Sequence, residues 1–232
     1  MRISVIIPTL NEQMNIPALI ESLQYSGGEA LAEIIVVDAG SSDQTETVAQ
    51  KAGAKVIKSP VRGRAVQMNY GVKFATGDIL YFVHADTRVP VTFVSDIQQA
   101  IQEGYESGCY RFRFDSDKTM LKINNYLTHL NILTARGGDQ TLFITRDLFT
   151  DLRGFDEYYV IMEEYDLLRR LWKKKRSAFK LIPKDVLVSA RKYERNSWAR
   201  VQFANLVAMT LFRLGTNPIR IARTYKKMLD YR

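Results

Sequence analysis

The 232-residue chain has 46% hydrophobic and 25% charged residues, a balance that excludes intrinsic disorder and is typical of a globular protein with a buried core. Its formal net charge of +8 suits phosphorylated molecules, polyanions and anionic membrane surfaces alike as partners. The single cysteine, Cys109, excludes an internal disulfide and a multi-cysteine metal site and favours a reducing compartment, so we expect a cytoplasmic protein.

Short β-branched runs alternate with helical patterns through the first third of the chain. The predicted strands lie at residues 3–7, 33–38, 55–58 and 79–83. Asn15 is placed to cap a first helix, and Asp43 with Glu46 three residues later resembles a capping box for a second. A third helix is predicted over residues 64–74. This alternation predicts an α/β fold in which the central sheet is mainly parallel.

The second half of the chain mixes strand and helix patterns. A strand at residues 108–114 alternates aromatic and basic side chains, and residues 118–134 follow a helical period. The later predicted elements are a strand at 140–144 and helices at 163–174, 196–214 and 217–229. For the 196–214 helix, packing in the core and contact with a lipid-linked molecule both remain open, with Leu206 among its candidate core residues. Its apolar part is too short and too polar to span a membrane.

Polar side chains follow three of the predicted strands. The segments are Pro8-Thr9-Leu10-Asn11-Glu12, Asp38-Ala39-Gly40-Ser41-Ser42-Asp43 and His84-Ala85-Asp86-Thr87. Ligands of open α/β sheets bind beyond the carboxyl ends of the strands, so these segments form the candidate site. Asp38 can accept hydrogen bonds from a base or a ribose. The alternative is that these side chains only shape turns and cap helices.

The loop after the first strand argues against two common nucleotide sites. Neither G-x-G-x-x-G nor G-x-x-x-x-G-K-[ST] is present there, which disfavours a dinucleotide-binding Rossmann site and a P-loop. The chain also contains no helix-turn-helix, zinc-ligand or RNP-like pattern, so we expect no nucleic acid partner.

Several segments in a fixed order carry a family resemblance over about residues 3–172. They read SVIIPTLNE (4–12), VVDAGSSD (36–43), RAVQMNYG (64–71), GDILYFVHADT (77–87), GFDE (154–157) and EEYDL (163–167). In this order they resemble the motifs of family 2 glycosyltransferases, and the HADT motif resembles a small bacterial subgroup of that family. The resemblance implies a GT-A fold: a Rossmann-like α/β domain over residues 1–195, with residues 196–232 as a C-terminal helical extension of the same domain.

The resemblance implies a donor site for a nucleotide diphosphate sugar, and we expect UDP as the nucleotide. The implied donor-binding residues are Pro8, Thr9, Asn11, Glu12, Asp38, Ser41, Asp43, Arg64, Asn69, Ala85 and Arg191. Arg191 lies near the end of the resemblance, where a cation could close over the departing diphosphate. A solvated basic run is the alternative reading of this segment.

The metal motif of the family, usually D-x-D, occurs here as His84-Ala85-Asp86. Positions i and i+2 at a strand end point the same way, so His84 and Asp86 could share one divalent cation with diphosphate oxygens and water. We expect Mn²⁺ or Mg²⁺, and imidazole suits Mn²⁺ better. For His84 the alternative is a hydrogen-bonded histidine near the core.

The resemblance assigns the general base to Glu164, at a position where the family's E-D pair has aspartate. Either carboxylate can serve as a base. Glu163 and Asp166 are three residues apart on the same predicted helix and therefore share a face. These two carboxylates either are solvated or form ion pairs with Arg169 and Arg170, although Glu163 is also implied to contact the acceptor.

The remaining implied acceptor residues are Gly138, Asp139 and Gln140. Asp139 and Gln140 follow two glycines, which allow the backbone to come close to a ligand. A tight turn is the equally simple alternative.

Together these expectations describe an inverting glycosyltransferase that transfers one sugar to an acceptor which the sequence does not identify, a lipid-linked acceptor being one option. The Q-x-x-R-W pattern of processive synthases is absent, which disfavours a polymerising enzyme. Two alternatives stay open. One is a catalytically inactive nucleotide-sugar-binding protein, and the other is a sugar nucleotidyltransferase, a class that normally has a glycine-rich basic loop after its first strand. We expect a cytoplasmic location, with peripheral contact to the inner face of the membrane as an option.

Overall fold

The computed structural model describes residues 1–136 and 140–230, and an eight-stranded sheet runs through that part of the chain. The strands are β1 (Ile3–Thr9), β2 (Leu31–Asp38), β3 (Lys55–Lys58), β4 (Ile79–Phe82), β5 (Thr87–Arg88), β6 (Ser107–Phe114), β7 (Leu142–Thr145) and β8 (Phe179–Val188). They lie side by side in the order β3-β2-β1-β4-β7-β6-β8-β5. The α/β fold with a mainly parallel sheet is confirmed.

Helices cover both faces of this sheet. They are α1 (Ile16–Gly27), α2 (Thr45–Lys51), α3 (Arg64–Val72), α4 (Phe93–Gln102), α5 (Thr119–Leu127), α6 (Arg146–Asp151), α7 (Glu163–Lys175), α8 (Lys192–Arg195), α9 (Trp198–Arg213) and α10 (Pro218–Met228). Alternate residues of β1 belong to two separate apolar clusters, with Val5 in one and Ile6 in the other. Because successive side chains of a strand point to opposite faces, β1 is buried between two layers of helices.

Strand directions bring several chain segments to one edge of the sheet. β1, β2, β3 and β4 are parallel, so Thr9 and Asp38 end neighbouring strands side by side. β7 runs antiparallel to β4 and starts where β4 ends, with Leu142 opposite Phe82. β8 is parallel to β6 and also ends at this edge, where Val188 pairs with Thr87. This edge therefore collects the segments that follow β1, β2, β4 and β8.

The structure corrects several predicted boundaries. The helix expected over 118–134 ends at Leu127, and the predicted strand 140–144 begins only at Leu142. β8 was not predicted, because Pro183 and polar residues interrupt its apolar pattern. Its register against β6 shifts at this point, between Tyr110 and Arg111, and such an irregularity accommodates a proline that cannot donate a ladder hydrogen bond.

The caps of the first two helices also differ from expectation. Asn15 precedes α1 but makes no side-chain cap, and its amide instead donates to Glu12 Oε2 at 2.6 Å. The capping box predicted for α2 is wrong, because Gln44 occupies the cap position and Glu46 pairs with Lys58 at 3.1 Å.

The last two helices, α9 and α10, pack against each other and against the body of the fold. Val201 and Ala204 of α9 join the main core, which confirms core packing for one face of this helix. Leu206 was expected there but is 62% exposed, on the same helical face as Phe203, which is 61% exposed. Among the described residues, no helix is long and apolar enough to cross a membrane.

Candidate active site

The turn after β2 is organised around the fully buried carboxylate of Asp38. The backbone N–H groups of Gly40 and Ser41 each donate to Asp38 Oδ2 at 2.8 Å. The hydroxyls of Ser41 and Thr9 donate to its other oxygen. Asp38 thus joins the ends of β1 and β2 and fixes the shape of the loop, and its contact with a base or ribose stays a prediction.

A second set of hydrogen bonds joins the loop after β1 to the start of α2. Asn11 adopts a left-handed backbone, with φ 58°, and its Oδ1 accepts from Ser42 N at 2.8 Å. Glu12 N donates to Thr45 Oγ1 at 2.8 Å, while Asp43 Oδ1 accepts from Thr45 N at 3.0 Å. Hydrogen bonds from Thr45 hold the pKa of Asp43 below its ordinary value even though desolvation opposes them. These contacts pre-form a polar surface at the predicted nucleotide edge.

Gln67 also belongs to this edge, although the sequence did not single it out. From α3 its buried amide donates to the carbonyl of Thr9 at 2.9 Å and to that of Val37 at 2.7 Å. It therefore ties the ends of β1 and β2 from the opposite side to Asp38. Its position three residues after Arg64, on the same face of a helix, was the available signal.

Asn69 lies farther along α3 and holds the turn that leads toward α7. Its amide donates to Phe155 O at 2.8 Å and accepts from Phe155 N at 3.0 Å. It also donates to Glu157 Oε1 at 2.9 Å. Gly154 in this turn has φ 67°, and a Cβ there would lie 2.8 Å from Asn69 Oδ1. Asn69 thus positions this turn, and its donor contact stays a prediction.

Two adjacent carboxylates begin α7, and each faces a cationic or titratable partner. Glu163 is fully buried, and its Oε1 lies 2.7 Å from Arg64 Nε, which belongs to the first turn of α3. Glu164 Oε1 lies 3.4 Å from His84 Nε2, beyond the end of β4. A helix N-terminus favours negative charge, which adds to the stabilisation of this pair. The structure therefore gathers Arg64, His84, Glu163 and Glu164, and the separate role predicted for each of them stays a prediction.

The two carboxylates differ in their protonation. Burial and the nearby charge of Glu164 raise the pKa of Glu163 to about 7, although Arg64 opposes this rise. Burial alone would raise the pKa of Glu164 as well, but Arg64 and the hydrogen bond from His84 outweigh it and hold that pKa below its ordinary value. Burial is the largest influence on the pKa of His84 and lowers it, but the hydrogen bond to Glu164 and the charges of Glu164 and Asp86 together raise that pKa above its ordinary value. Glu164 is therefore the ionised member of the pair, although its lowered pKa makes it a weak proton acceptor.

Arg191 bridges two carboxylates that follow different strands. Its Nη2 lies 2.9 Å from Asp86 Oδ2 and 3.2 Å from Glu12 Oε1. Arg191 therefore forms two ion pairs and is only partly solvated, and its contact with a diphosphate stays a prediction. One guanidinium between two carboxylates leaves a formal excess of one negative charge, which favours a further cation at this point.

The carboxylate of Asp86 fits a metal site in which a bound diphosphate supplies further oxygen ligands. Among the described residues, no cluster of three or more His, Cys, Asp or Glu side chains could hold a metal ion by itself. Asp86 offers one carboxylate that is 28% exposed, whereas His84 Nε2 is directed at Glu164. Mg²⁺ and Mn²⁺ sites that use one carboxylate together with diphosphate oxygens and water match this donor set. Metal ligation by His84 stays a prediction.

The predicted acceptor residues are placed only in part. Gly138 and Asp139 lie outside the described residues. Gln140 is almost fully buried, its Oε1 accepts from Cys109 Sγ at 3.8 Å, and its Nε2 has no partner within the part of the chain that the structure describes. Pro8 and Ala85 are buried and line the edge of the sheet without a polar side chain.

Asp166 does not face the site. It is buried and accepts from Arg169 at 2.8 Å and from Arg170 at 2.7 Å, so the ion-pair alternative is confirmed for this residue. Arg170 also donates to the carbonyl of Gly154 at 2.8 Å. Asp166 therefore anchors α7 to the turn that Asn69 holds.

Known proteins resemble this chain in sequence over part of its length. The sequence matches the model of the family described as Glycosyl transferase family 2 over residues 4–160, which is more than half of the chain. The glucosyl-3-phosphoglycerate synthase of Mycolicibacterium smegmatis is 35% identical over 92 residues, 36% of this chain and 30% of that enzyme. The dolichol-phosphate mannosyltransferase of Pyrococcus furiosus is 31% identical over 109 residues, 45% of this chain and 31% of that enzyme. The chain matches less than a third of the length of these curated relatives.

Solved structures show a similar fold. The glucosyl-3-phosphoglycerate synthase of Mycobacterium tuberculosis, in complex with Mn²⁺, UDP-glucose and phosphoglyceric acid, superposes with a TM-score of 0.67. The match covers 93% of this chain and 80% of that chain at 23% sequence identity. At this identity the similarity shows the GT-A fold.

Proposed function

The chain belongs to glycosyl transferase family 2, and from this premise we propose that it transfers one sugar from a UDP-sugar to an acceptor hydroxyl, with inversion at the anomeric carbon. The observation that carries the proposal is one edge of the sheet that combines three groups: the polar loops after β1 and β2, the Asp86–Arg191 pair, and the ionised Glu164. Nucleotide, diphosphate and acceptor hydroxyl each have a matching group there.

In the proposed reaction Glu164 accepts the proton of the acceptor hydroxyl as its oxygen attacks the anomeric carbon. The bond from that carbon to the diphosphate oxygen breaks, and UDP leaves with the electron pair. Arg191 offsets the charge that grows on the leaving diphosphate. A divalent cation held by Asp86 would neutralise further charge on the same oxygens when it is bound. Because the pKa of Glu164 is low, its strength as a base is modest, and its positioning against the acceptor must contribute to the rate.

UDP-glucose is the first donor to test. The similar Mycobacterium tuberculosis enzyme was solved with Mn²⁺, UDP-glucose and phosphoglyceric acid. Because this chain matches only 30% of the related synthase from Mycolicibacterium smegmatis, the donor sugar is a proposal and the acceptor is left open. A thermal-shift screen of nucleotide sugars, with and without Mn²⁺, tests donor binding: a ligand at 100 times its dissociation constant adds about 2.7 kcal/mol of stability. No shift with any nucleotide sugar would argue against the proposal.

Replacing Asp38 by alanine should weaken UDP binding about tenfold or more. The change removes a charged hydrogen-bond acceptor and also frees the turn that the carboxylate holds, and each effect is worth roughly 1 to 3 kcal/mol. Calorimetric titration with UDP measures the affinity. Asp78→Ala is the matched control, because Asp78 also bonds a backbone N–H but lies before β4, at the opposite edge of the sheet. Equal affinity in wild type and Asp38→Ala would place the nucleotide elsewhere.

We further propose that a lipid-linked acceptor is reached by peripheral contact with an anionic membrane through α9 and α10. Phe203 and Leu206 are exposed on one face of α9, and Arg220, Arg223 and Lys227 are exposed on one face of α10. Exposed apolar side chains on one helix and exposed cations on the helix packed against it suit the boundary of an anionic bilayer.

Sedimentation with vesicles that contain anionic phospholipid tests this contact. At low salt we expect the protein to sediment with these vesicles and not with neutral ones. Leu206→Ser should reduce the bound fraction severalfold, because it removes apolar area that the bilayer would cover and leaves the charge unchanged. No binding to anionic vesicles at low salt would remove the membrane proposal and leave the transferase proposal intact.

A further inference from the structure

Met162, the residue immediately before α7, has a backbone conformation that is unfavourable for its residue type. Its φ of 71° and ψ of 17° lie in the left-handed region. For an L-residue other than glycine this conformation is costly and persists only where the surroundings impose it. Since Glu163 and Glu164 follow directly, the conformation of Met162 sets the direction in which both carboxylates leave the backbone.

The C-terminal helices supply much of the apolar surroundings of Met162. The side chain of Met162 is buried in a cluster with Ala208 and Phe212 of α9 and Ile221 of α10. This cluster is separate from the two that cover the sheet. Its members from α9 and α10 are far along the chain from the polar loops after β1 and β2.

Two further contacts connect the same cluster to the first turns of α7. The backbone carbonyl of Met162 accepts from Asp166 N at 3.0 Å. The guanidinium of Arg169 lies 5.2 Å from the ring centre of Phe212 while it also pairs with Asp166. The cluster thus buries the side chain of Met162, and Arg169 connects the cluster to the second turn of α7.

The 3.4 Å contact between His84 and Glu164 joins the first turn of α7 to the segment that follows β4. A rotation of the first turn of α7 would separate the two side chains, and it would separate Glu163 from Arg64 as well. None of the described members of the cluster belongs to the polar loops after β1 and β2. Loss of the cluster should therefore affect the carboxylates more than donor binding.

We propose that α9 and α10 form a positioning element for the catalytic carboxylate, with Met162 as the positioning residue through which they act on Glu164. This inference rests on the proposed role of Glu164 as the base. It gives the C-terminal helices a part in turnover that is separate from any contact with a membrane.

Ile221→Ala and Ile219→Ala are a matched pair of variants for the test. Both remove the same atoms from α10, but Ile221 is fully buried in the cluster whereas Ile219 is 57% exposed. We expect Ile221→Ala to lower kcat about tenfold, with KM for the UDP-sugar within twofold of wild type, and Ile219→Ala to change neither. Equal turnover in the two variants would overturn the proposal.

The Glu164→Gln background shows whether the effect passes through Glu164. There, Ile221→Ala should cause no further loss of turnover, because coupled residues are not additive. The same tenfold loss in both backgrounds would overturn the proposal.

Met162→Leu should retain turnover and Met162→Gly should lose it, since glycine adopts the left-handed region but has no side chain to bury. If Ile221→Ala does not fold, Ile221→Val and the Met162 pair carry the same comparison.

Amide hydrogen exchange gives a readout that does not depend on the reaction. The N–H of Asp166 donates to Met162 O, so it should exchange faster in Ile221→Ala than in Ile219→Ala. Unchanged exchange would overturn the positioning inference whatever the role of Glu164. Faster exchange together with wild-type turnover in Glu164→Gln would instead contradict the assignment of the base.

Discussion

Glu164→Gln is expected to lower turnover by roughly 10² to 10⁴ while donor affinity stays at the wild-type value. Glutamine keeps the size of the side chain and can still accept a hydrogen bond from His84, but it cannot accept a proton from the acceptor. Steady-state kinetics combined with calorimetric titration of the donor separates the two effects.

Glu163→Gln is the informative comparison for this variant. The pKa of Glu163 is raised to about 7, so this side chain is partly neutral at neutral pH, and an amide resembles its protonated form. We expect a smaller loss of turnover than for Glu164→Gln. Turnover near wild type in Glu164→Gln would contradict its assignment as the base, and Glu163→Gln and Asp139→Asn would then test the remaining candidates, because Asp166 is paired with Arg169 and Arg170 away from the site.

Asp86→Asn should remove the dependence of donor binding on a divalent cation and lower turnover by about 10² or more. In the wild type we expect Mn²⁺ to tighten binding of the UDP-sugar, because Asp86 and the diphosphate oxygens share the ion. In the variant, titrations with Mn²⁺ and with EDTA should give the same donor affinity.

Glu12→Gln is the control for Asp86→Asn. Glu12 and Asp86 both contact Arg191, so both variants disturb the guanidinium, but only Asp86 is expected to hold the cation. Dependence on Mn²⁺ should therefore survive in Glu12→Gln. Activity that persists in Asp86→Asn in the presence of EDTA would contradict the metal role.

The architecture of the first half of the chain was predictable from local signals. β-Branched runs that end in turn residues locate β1 to β4, and the predicted third strand, residues 55–58, coincides with β3. The carboxyl ends of parallel strands must meet at one edge, so the joining of Thr9 to Asp38 follows from the fold alone. β8 escaped prediction because Pro183 disrupts the alternation on which strand prediction depends.

The pairings inside the site were less predictable. The bond from His84 to Glu164 and the bridge from Arg191 to Glu12 join segments that are remote in sequence, and no local pattern specifies such contacts. Asp38 was expected to face a ligand, yet its oxygens bond the turn around it. The burial of Met162 is set by helices that lie after it in the chain, so its backbone conformation could not be anticipated.

Phosphorus NMR of UDP-glucose incubated with the protein and Mg²⁺ tests the central claim most directly. A glycosyltransferase breaks the bond at the anomeric carbon, so slow hydrolysis should release UDP even without an acceptor, and Glu164→Gln should suppress it. We expect the signals of UDP to grow. The signals of glucose 1-phosphate should stay absent, even after pyrophosphate is added. Formation of UTP and glucose 1-phosphate with pyrophosphate would instead identify a nucleotidyltransferase. The proposed transfer would be contradicted if every nucleotide sugar that shifts the melting temperature stayed intact when it is incubated with the protein.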